Sequence, residues 1–274
     1  MLEIDPEEKT EAIIEFIRSY TENAGVGSVV IGLSGGIDSA VVTKLSIMAL
    51  GKENVYTLFM PELSTPMEDF EHVRLLSSEF GIEYETIDIS PLIHSIRKVY
   101  PYEMDAVALG NIKSRLRMLL WYGYSNVKKS LVCGCSNKTE LLIGYFTKYG
   151  DGGSDFMPIG DLYKTQVYQV AEYIGIPKPI IEKPPSAGLW KGQTDEKELQ
   201  ITYTTLDKIL YGLERKMPIS RIAEMAGTNE GEVMRIKEMR KKSQHKRSMP
   251  LIPKMGLRTI SLDWRSPVQE SHDK

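Results

Sequence analysis

The chain has 274 residues, 42% of them hydrophobic and 26% charged, with a formal net charge of −3. The apolar share fills a core and excludes wholesale disorder, the mild acidity argues against a general nucleic-acid binder, and the two cysteines, Cys133 and Cys135, are too few for a disulfide framework or a four-ligand zinc site. No basic-then-apolar leader opens the sequence and no run reaches about 18 uninterrupted apolar residues, so the expectation is a protein of a reducing compartment, the cytoplasm, with no membrane span.

In chain order, Ile13, Ile14, Ile17 and Tyr20 recur at helical spacing and predict an amphipathic helix. The β-branched run Ser28 to Leu33 predicts a buried strand. Ser34-Gly35-Gly36-Ile37-Asp38-Ser39 breaks it, and a helix follows from Ala40 to Leu50, stopped at Gly51. Val55 to Met60 predicts a second strand, Met67 to Phe80 a helix ending at Gly81, and Tyr84 to Ile89 a third strand. A long helix from about Asp105 to Lys129 leads into a fourth strand, Ser130 to Gly134. Cys133 and Cys135 fall on one face of that strand and read as buried small residues.

Strands alternating with helices imply crossover connections, hence an α/β fold: an open, mostly parallel sheet with helices on both faces. Two strands run into polar, glycine-bearing loops, Ser34 to Ser39 and Cys135 to Glu140, and ligands sit at the carboxyl edge of such sheets. Gly150 to Gly160 carries glycines at 150, 152, 153 and 160 and reads as a mobile loop able to act as a lid. Pro177, Pro179, Pro184 and Pro185 punctuate a second irregular stretch that ends near Asp195. The expectation is one unit over residues 1–274, with a helical C-terminal part from about 195.

The turn at Ser34 to Ser39 suits an oligophosphate. Its glycines let backbone come close to a ligand, and the next helix offers unpaired N–H groups and the positive end of its dipole. Asp38 beside phosphate makes sense as a ligand for Mg²⁺ or as an orienting group for a loop amide. A P-loop would need a lysine that is absent here, and Gly25-Val26-Gly27 lacks the third glycine of a dinucleotide fingerprint. Gly32-Leu33-Ser34-Gly35-Gly36 does satisfy the Gly-x-Ser-x-Gly elbow of α/β-hydrolases. That reading makes Ser34 a nucleophile and needs a base among His72, His94, His245 and His272. Phosphate binding is preferred, because none of these histidines falls in a convincing loop.

The same turn resembles the pyrophosphate loop of the ATP pyrophosphatase superfamily, whose members cleave ATP between the α and β phosphates and adenylate a substrate oxygen. Further blocks resemble ammonia-dependent NAD synthetases: Gly110-Asn111-Ile112-Lys113-Ser114-Arg115-Leu116-Arg117-Met118, Ser136-Asn137-Lys138-Thr139-Glu140, Gly144 to Asp151, Asp155, Pro158, Gly160 to Thr165, and His245-Lys246-Arg247. They run in the family's order between about residue 10 and residue 253. The resemblance implies a Rossmann-like, adenine nucleotide alpha hydrolase-like fold. It implies a ligase that joins ammonia to deamido-NAD through an adenylated nicotinate carboxylate. ATP is the co-substrate, Mg²⁺ the cofactor and a homodimer the assembly. It also implies that Gly32, Leu33, Ser34, Gly35, Gly36, Ile37, Asp38, Ser39, Cys135, Lys164 and Ser186 meet ATP. Asp38 and Glu140 would hold Mg²⁺, and Asp38 and Lys164 would be catalytic. Arg115, Lys148, Asp155, His245 and Lys246 would meet deamido-NAD. The family usually has threonine where Cys135 and Ser186 stand; Ser186 keeps the hydroxyl, whereas Cys135 leaves only a backbone contact. Only 33 residues precede Ser34, too few for a glutaminase domain, so glutamine is not the expected nitrogen source for this chain alone. Another synthetase of the superfamily is the nearest rival.

Arg235 to Arg247 carries seven Lys/Arg and one acid, Glu238. With Ile219 to Met225 and Gly227-Thr228-Asn229 before it, the spacing resembles a DNA-binding helix-turn-helix. Net negative charge and the lack of a second basic face argue against that role, and for a segment whose end closes over substrate phosphates.

Overall fold

The computed structural model describes residues 2–188, 190 and 192–257. The first helix, α1 (Pro6–Asn23), starts where the Asp5 carboxylate accepts from the N–H groups of Glu7 and Glu8, and buries Ile13 and Ile17. Four strands, β1 (Val29–Gly32), β2 (Val55–Phe59), β3 (Glu85–Thr86) and β4 (Leu131–Val132), form one parallel sheet in the order β3-β2-β1-β4. Val29 is in register with Val55 on one side and Leu131 on the other. The order reverses between β1 and β4, which is where parallel sheets open a ligand crevice.

Helices α2 (Ile37–Leu50), α3 (Met67–Phe80), α4 (Ser90–Val99) and α5 (Ala106–Lys128) make the crossovers. One core gathers β1, α1, α2 and α7 (Lys164–Tyr173) around Ile17, Ile31, Leu45 and Val167. The other face of the sheet buries Val30, Leu58 and Val132 under α4 and α5. The outer strands are shorter than the sequence predicts. Beyond Thr86 only single bonds persist, Ile87 N–H to Phe59 O and Ile89 N–H to Pro61 O, because β3 is an exposed edge.

The Gly150–Gly160 stretch differs from the expected mobile lid. Asp155 N–H donates to Val132 O and Gly134 N–H to Phe156 O, so residues 155–156 extend the sheet beside β4. Ser114 Oγ donates to Asp151 Oδ1 at 2.6 Å. A Cβ at Gly150 would lie 2.2 Å from Ser114 Oγ. The glycine there serves close packing, not motion.

After α6 (Lys138–Ile143), α7 and α8 (Lys178–Glu182), the chain from Asp195 is helical, as expected: α9 (Asp195–Leu199), α10 (Tyr203–Glu214), α11 (Ile219–Ala226) and α12 (Glu230–Lys242). They share a separate apolar cluster around Leu206, Ile209, Ile222, Val233 and Ile236. The basic end of this part folds back. Arg247 donates to Leu141 O and Leu142 O, and Lys246 to Gly144 O and Phe146 O, placing cations on the carbonyl end of α6. Among the described residues no helix is long and apolar enough to cross a membrane.

Candidate active site

A cavity of about 620 Å³ opens at the carboxyl edge of the sheet. Its floor is the end of β1 and the turn that follows. The turn is braced internally: Ser34 N–H donates to Ser39 Oγ (3.2 Å), the two hydroxyls are 3.0 Å apart, and Gly36 N–H donates to Ser34 Oγ (3.3 Å). Gly35 has φ +74°, a left-handed conformation that favours glycine. Gly36 is the N-cap of α2 and offers no side-chain cap, so the helix's first amides remain open to an anion. His72 reaches Gly35 O (3.2 Å) and not Ser34. Ser34 bonds to Ser39 and Gly36 instead of a histidine, which removes the hydrolase reading for the described histidines; His272 lies outside the described residues.

Above the turn, the first residue of α7 places Lys164 between two carboxylates. Its Nζ donates to Asp38 Oδ2 and lies 3.5 Å from Glu140 Oε1. Asn137, the N-cap of α6, accepts from Glu140 N–H and donates to Asp38 (3.0 Å). Lys164 is 2% exposed. Burial works to lower its pKa, but Asp38 and Glu140 outweigh it and hold the ammonium well above the ordinary lysine value. The Glu140 pKa is raised as well, but there burial, with Asp38 close by, is the cause and Lys164 pulls against it. Behind this cluster Asp207 of α10 ties the two carriers together. Its carboxylate accepts from Thr139 Oγ1 (2.5 Å) and from Thr165 N–H and Oγ1 (both 2.8 Å), while Lys164 N–H donates to Thr139 Oγ1 (2.9 Å).

Of the residues expected to meet ATP, Gly32, Leu33, Ser34, Gly36, Ile37, Asp38, Ser39, Cys135, Lys164 and Ser186 line the cavity, as do Glu140 and Lys246. Gly35 sits within the turn but not on the wall. Burial keeps the Cys135 thiol protonated, its pKa well above the usual value. Ser186 Oγ accepts from Gly188 N–H (3.1 Å) and donates to Gln193 O (2.8 Å), shaping the loop that forms the far wall. Of the basic residues expected to meet deamido-NAD, Lys246 is on the cavity wall, and Arg115, Lys148 and His245 fall outside it but next to one another. Exposed Arg115 donates to Lys148 O (3.3 Å), and Lys148 Nζ donates to His245 O (2.7 Å), beside Lys246. Asp155 stands apart: its carboxylate accepts from Val132 N–H (2.7 Å) and Tyr122 OH (3.2 Å), and it anchors the 150–160 loop to β4.

The structure gives a place in the site to residues that no motif assigned a role. Lys183 pairs with Asp69 and reaches Gly35 O, steadying the phosphate turn from outside. Tyr145 OH lies within hydrogen-bond distance of both Asp195 (3.1 Å) and Glu198 (2.8 Å) on the cavity wall and donates its one proton between them. Arg117 lines the cavity where Arg115 does not; the helical spacing of Asn111, Ser114, Arg117 and Trp121 was the available signal. Among the described residues no three His, Cys, Asp or Glu side chains are grouped to hold a metal unaided.

Known proteins share this architecture. The NAD synthase family profile matches residues 9–250. The NH(3)-dependent NAD(+) synthetase of Methanosarcina acetivorans is 44% identical over 255 residues, 92% of this chain and 100% of that protein. The enzyme of the same name from Pyrococcus furiosus is 44% identical over 256 residues, covering 93% and 97%. Among solved structures, an NMN synthetase from Francisella tularensis aligns with a TM-score of 0.82 at 34% identity, covering 92% of this chain and 100% of that one. An NH3-dependent NAD synthetase from Campylobacter jejuni, in complex with nitrate, aligns at 0.78 with 34% identity and the same coverage. Since the matched span takes in the phosphate turn, the Asp38–Lys164–Glu140 cluster and the returning basic end alike, the chain belongs to the NAD synthase family.

Proposed function

We propose that this chain is a cytoplasmic ammonia-dependent ligase that converts deamido-NAD, ATP and ammonia to NAD, AMP and pyrophosphate. The observation that carries the reading is one cavity in which the uncapped start of α2 faces a buried lysine held between two carboxylates. A carboxylate is a poor electrophile until its oxygen becomes a good leaving group. In the first step a nicotinate carboxylate oxygen attacks the α-phosphorus of ATP, and the bond to the β-phosphate oxygen breaks, releasing pyrophosphate. In the second, the ammonia nitrogen attacks the acyl carbon, AMP leaves with the bond electrons, and the nitrogen gives up a proton.

The protein's part is positioning and charge neutralisation. The turn Ser34 to Ser39 and the first amides of α2 take the β and γ phosphates. Lys164, charged at all working pH values, supplies a fixed cation beside them once phosphate oxygens compete for it. Asp38 and Glu140 fit Mg²⁺, which is held by one or two carboxylates together with substrate phosphates. Bound there, the ion would neutralise phosphate charge. Arg115, Lys148, His245 and Lys246 form a basic rim suited to the pyrophosphate of deamido-NAD. The outer face of α5 leaves Leu119, Gly123 and Val127 to solvent, four residues apart, and is proposed as the face that joins two chains as a homodimer.

The test is turnover by the purified protein with ATP, Mg²⁺, ammonium and deamido-NAD, reading AMP and the amide by mass. Both should appear together, and ammonium replaced by glutamine should give neither. A reaction without AMP overturns the scheme. The likeness to an NMN synthetase makes nicotinate mononucleotide the comparison acid, and a higher kcat/KM for it would move the proposal to the mononucleotide.

A further inference from the structure

Helix α5 turns one stripe to the cavity. Val107, Asn111, Ser114, Arg117 and Trp121 all line it, three or four residues apart. At the inner end Trp121 lies so close to Gly32 that a Cβ there would sit 2.1 Å from its ring. That contact fixes the helix over the end of β1. Arg117 lies one turn nearer the mouth, and its Nε donates to Met60 O at 3.0 Å, immediately past the end of β2. Its guanidinium is thereby held past the carboxyl end of β2, in the same cavity that the phosphate turn lines.

The other described cations of the cavity are already engaged. Lys164 bridges Asp38 and Glu140, Lys183 holds Asp69 and Gly35 O, and Lys246 donates to Gly144 O and Phe146 O. Arg117 makes no ion pair with any described residue, and only its Nε is hydrogen-bonded, which leaves both terminal nitrogens open. Glu62, Asp151 and Asp69 act on it from farther away, and burial draws its pKa below the ordinary arginine value. A half-buried guanidinium with an open fork on the cavity wall is set to receive an anion.

We infer that Arg117 binds the α-phosphate of ATP and keeps hold of it while the adenylyl group passes to the acid, an assignment that rests on the ATP-dependent reading above. Chemistry selects the phosphate over the acid's carboxylate. A guanidinium fork on that carboxylate would occupy the oxygens that must attack phosphorus. On the α-phosphate the same fork faces the atom where charge gathers during transfer, and its anchor on Met60 O means that no reorganisation is needed at that moment.

AMP and adenosine differ by that phosphate alone, so calorimetric titration of the full-length protein with each isolates the contact. Arg117→Gln should weaken AMP roughly 10- to 100-fold and leave adenosine and deamido-NAD within about twofold, with Arg117→Lys recovering part of the loss. In turnover the glutamine variant should lower kcat and raise the KM for ATP, with the KM for deamido-NAD unchanged. Equal weakening of AMP and adenosine marks a merely structural arginine and overturns the inference. So does a loss confined to deamido-NAD, unchanged AMP binding, or a wild type that does not prefer AMP over adenosine. If Arg117→Gln does not fold, the AMP-to-adenosine ratio of Arg117→Lys decides. Wild-type protein that forms no AMP from ATP would sink the synthetase reading, whereas AMP formation with an Arg117-independent AMP site sinks only this assignment.

Discussion

Lys164 carries its charge into a place that water hardly reaches, and two carboxylates hold it there. Each of those carboxylates is expected to matter more to turnover than to the fold. Asp38→Asn and Glu140→Gln should each lower kcat by about 100-fold or more, the scale seen when one preorganised charge-stabilising group is removed. Because burial already raises the Glu140 pKa, its ionised form is the disfavoured one, and Glu140→Gln should melt no lower than the wild type near neutral pH without ligands. Normal activity in either variant would refute the proposed metal role. A second buried pair makes the opposite prediction. Lys113 Nζ lies 2.6 Å from Glu62 Oε1, with both side chains under a tenth exposed. Burial pushes the Glu62 pKa up, but hydrogen bonds from Lys113 and Ser64 outweigh it and leave the value below the ordinary one. A depressed carboxylate contributes stability above its unfolded pKa of about 4.5 and loses it as pH falls through the folded value. Glu62→Gln should therefore cost about 3 kcal/mol at pH 7, with the gap to wild type closing in urea titrations carried below that range.

At the scale of elements, the site depends on how closely α5 can approach β1. Gly32 ends β1 with the Trp121 ring where a methyl group would go. Gly32→Ala should destabilise the fold by about 1 to 3 kcal/mol, the usual cost of overpacking, and should lower turnover by tilting α5 away from the cavity. Pairing it with Trp121→Leu should return part of the stability, measurable as a positive coupling in a double-mutant cycle. Equal effects of Gly32→Ala in both backgrounds would show that the close approach is not what limits this position. The 150–160 loop illustrates the same dependence. Its glycines are where Ser114, Thr147 and Phe146 come close, and so a sequence feature that reads as mobility serves packing.

For the molecule as a whole, one face of α5 makes the cavity wall and the opposite one exposes Leu119 (62%) and Val127 (79%) with Gly123 between them. A glycine in mid-helix costs about 1 kcal/mol relative to alanine, a cost that close packing against a second helix would offset. Sedimentation should give a dimer, and Leu119→Glu should shift it toward monomer without unfolding it. A wild type that sediments as a monomer removes that interface.

The order of strands and helices was legible because strand and helix periodicities are local, and because glycine at 36, 51 and 81 punctuates them. The phosphate turn was legible for the same reason: its chemistry lies within six consecutive residues, Ser34 to Ser39. Asp38, Glu140 and Lys164 stand at three widely separated points of the chain, and by sequence only a resemblance joined them. Folding brings them onto one lysine nitrogen because β1 and β4 both deliver their loops to the same sheet edge. Arg115 and Arg117 show the limit most plainly. Both lie in the same motif block, but two residues on a helix turn a side chain to nearly the opposite face. Residue type and spacing determined that this helix would carry arginines past a nucleotide site; only the packing of Trp121 on Gly32 decided which of them faces the cavity.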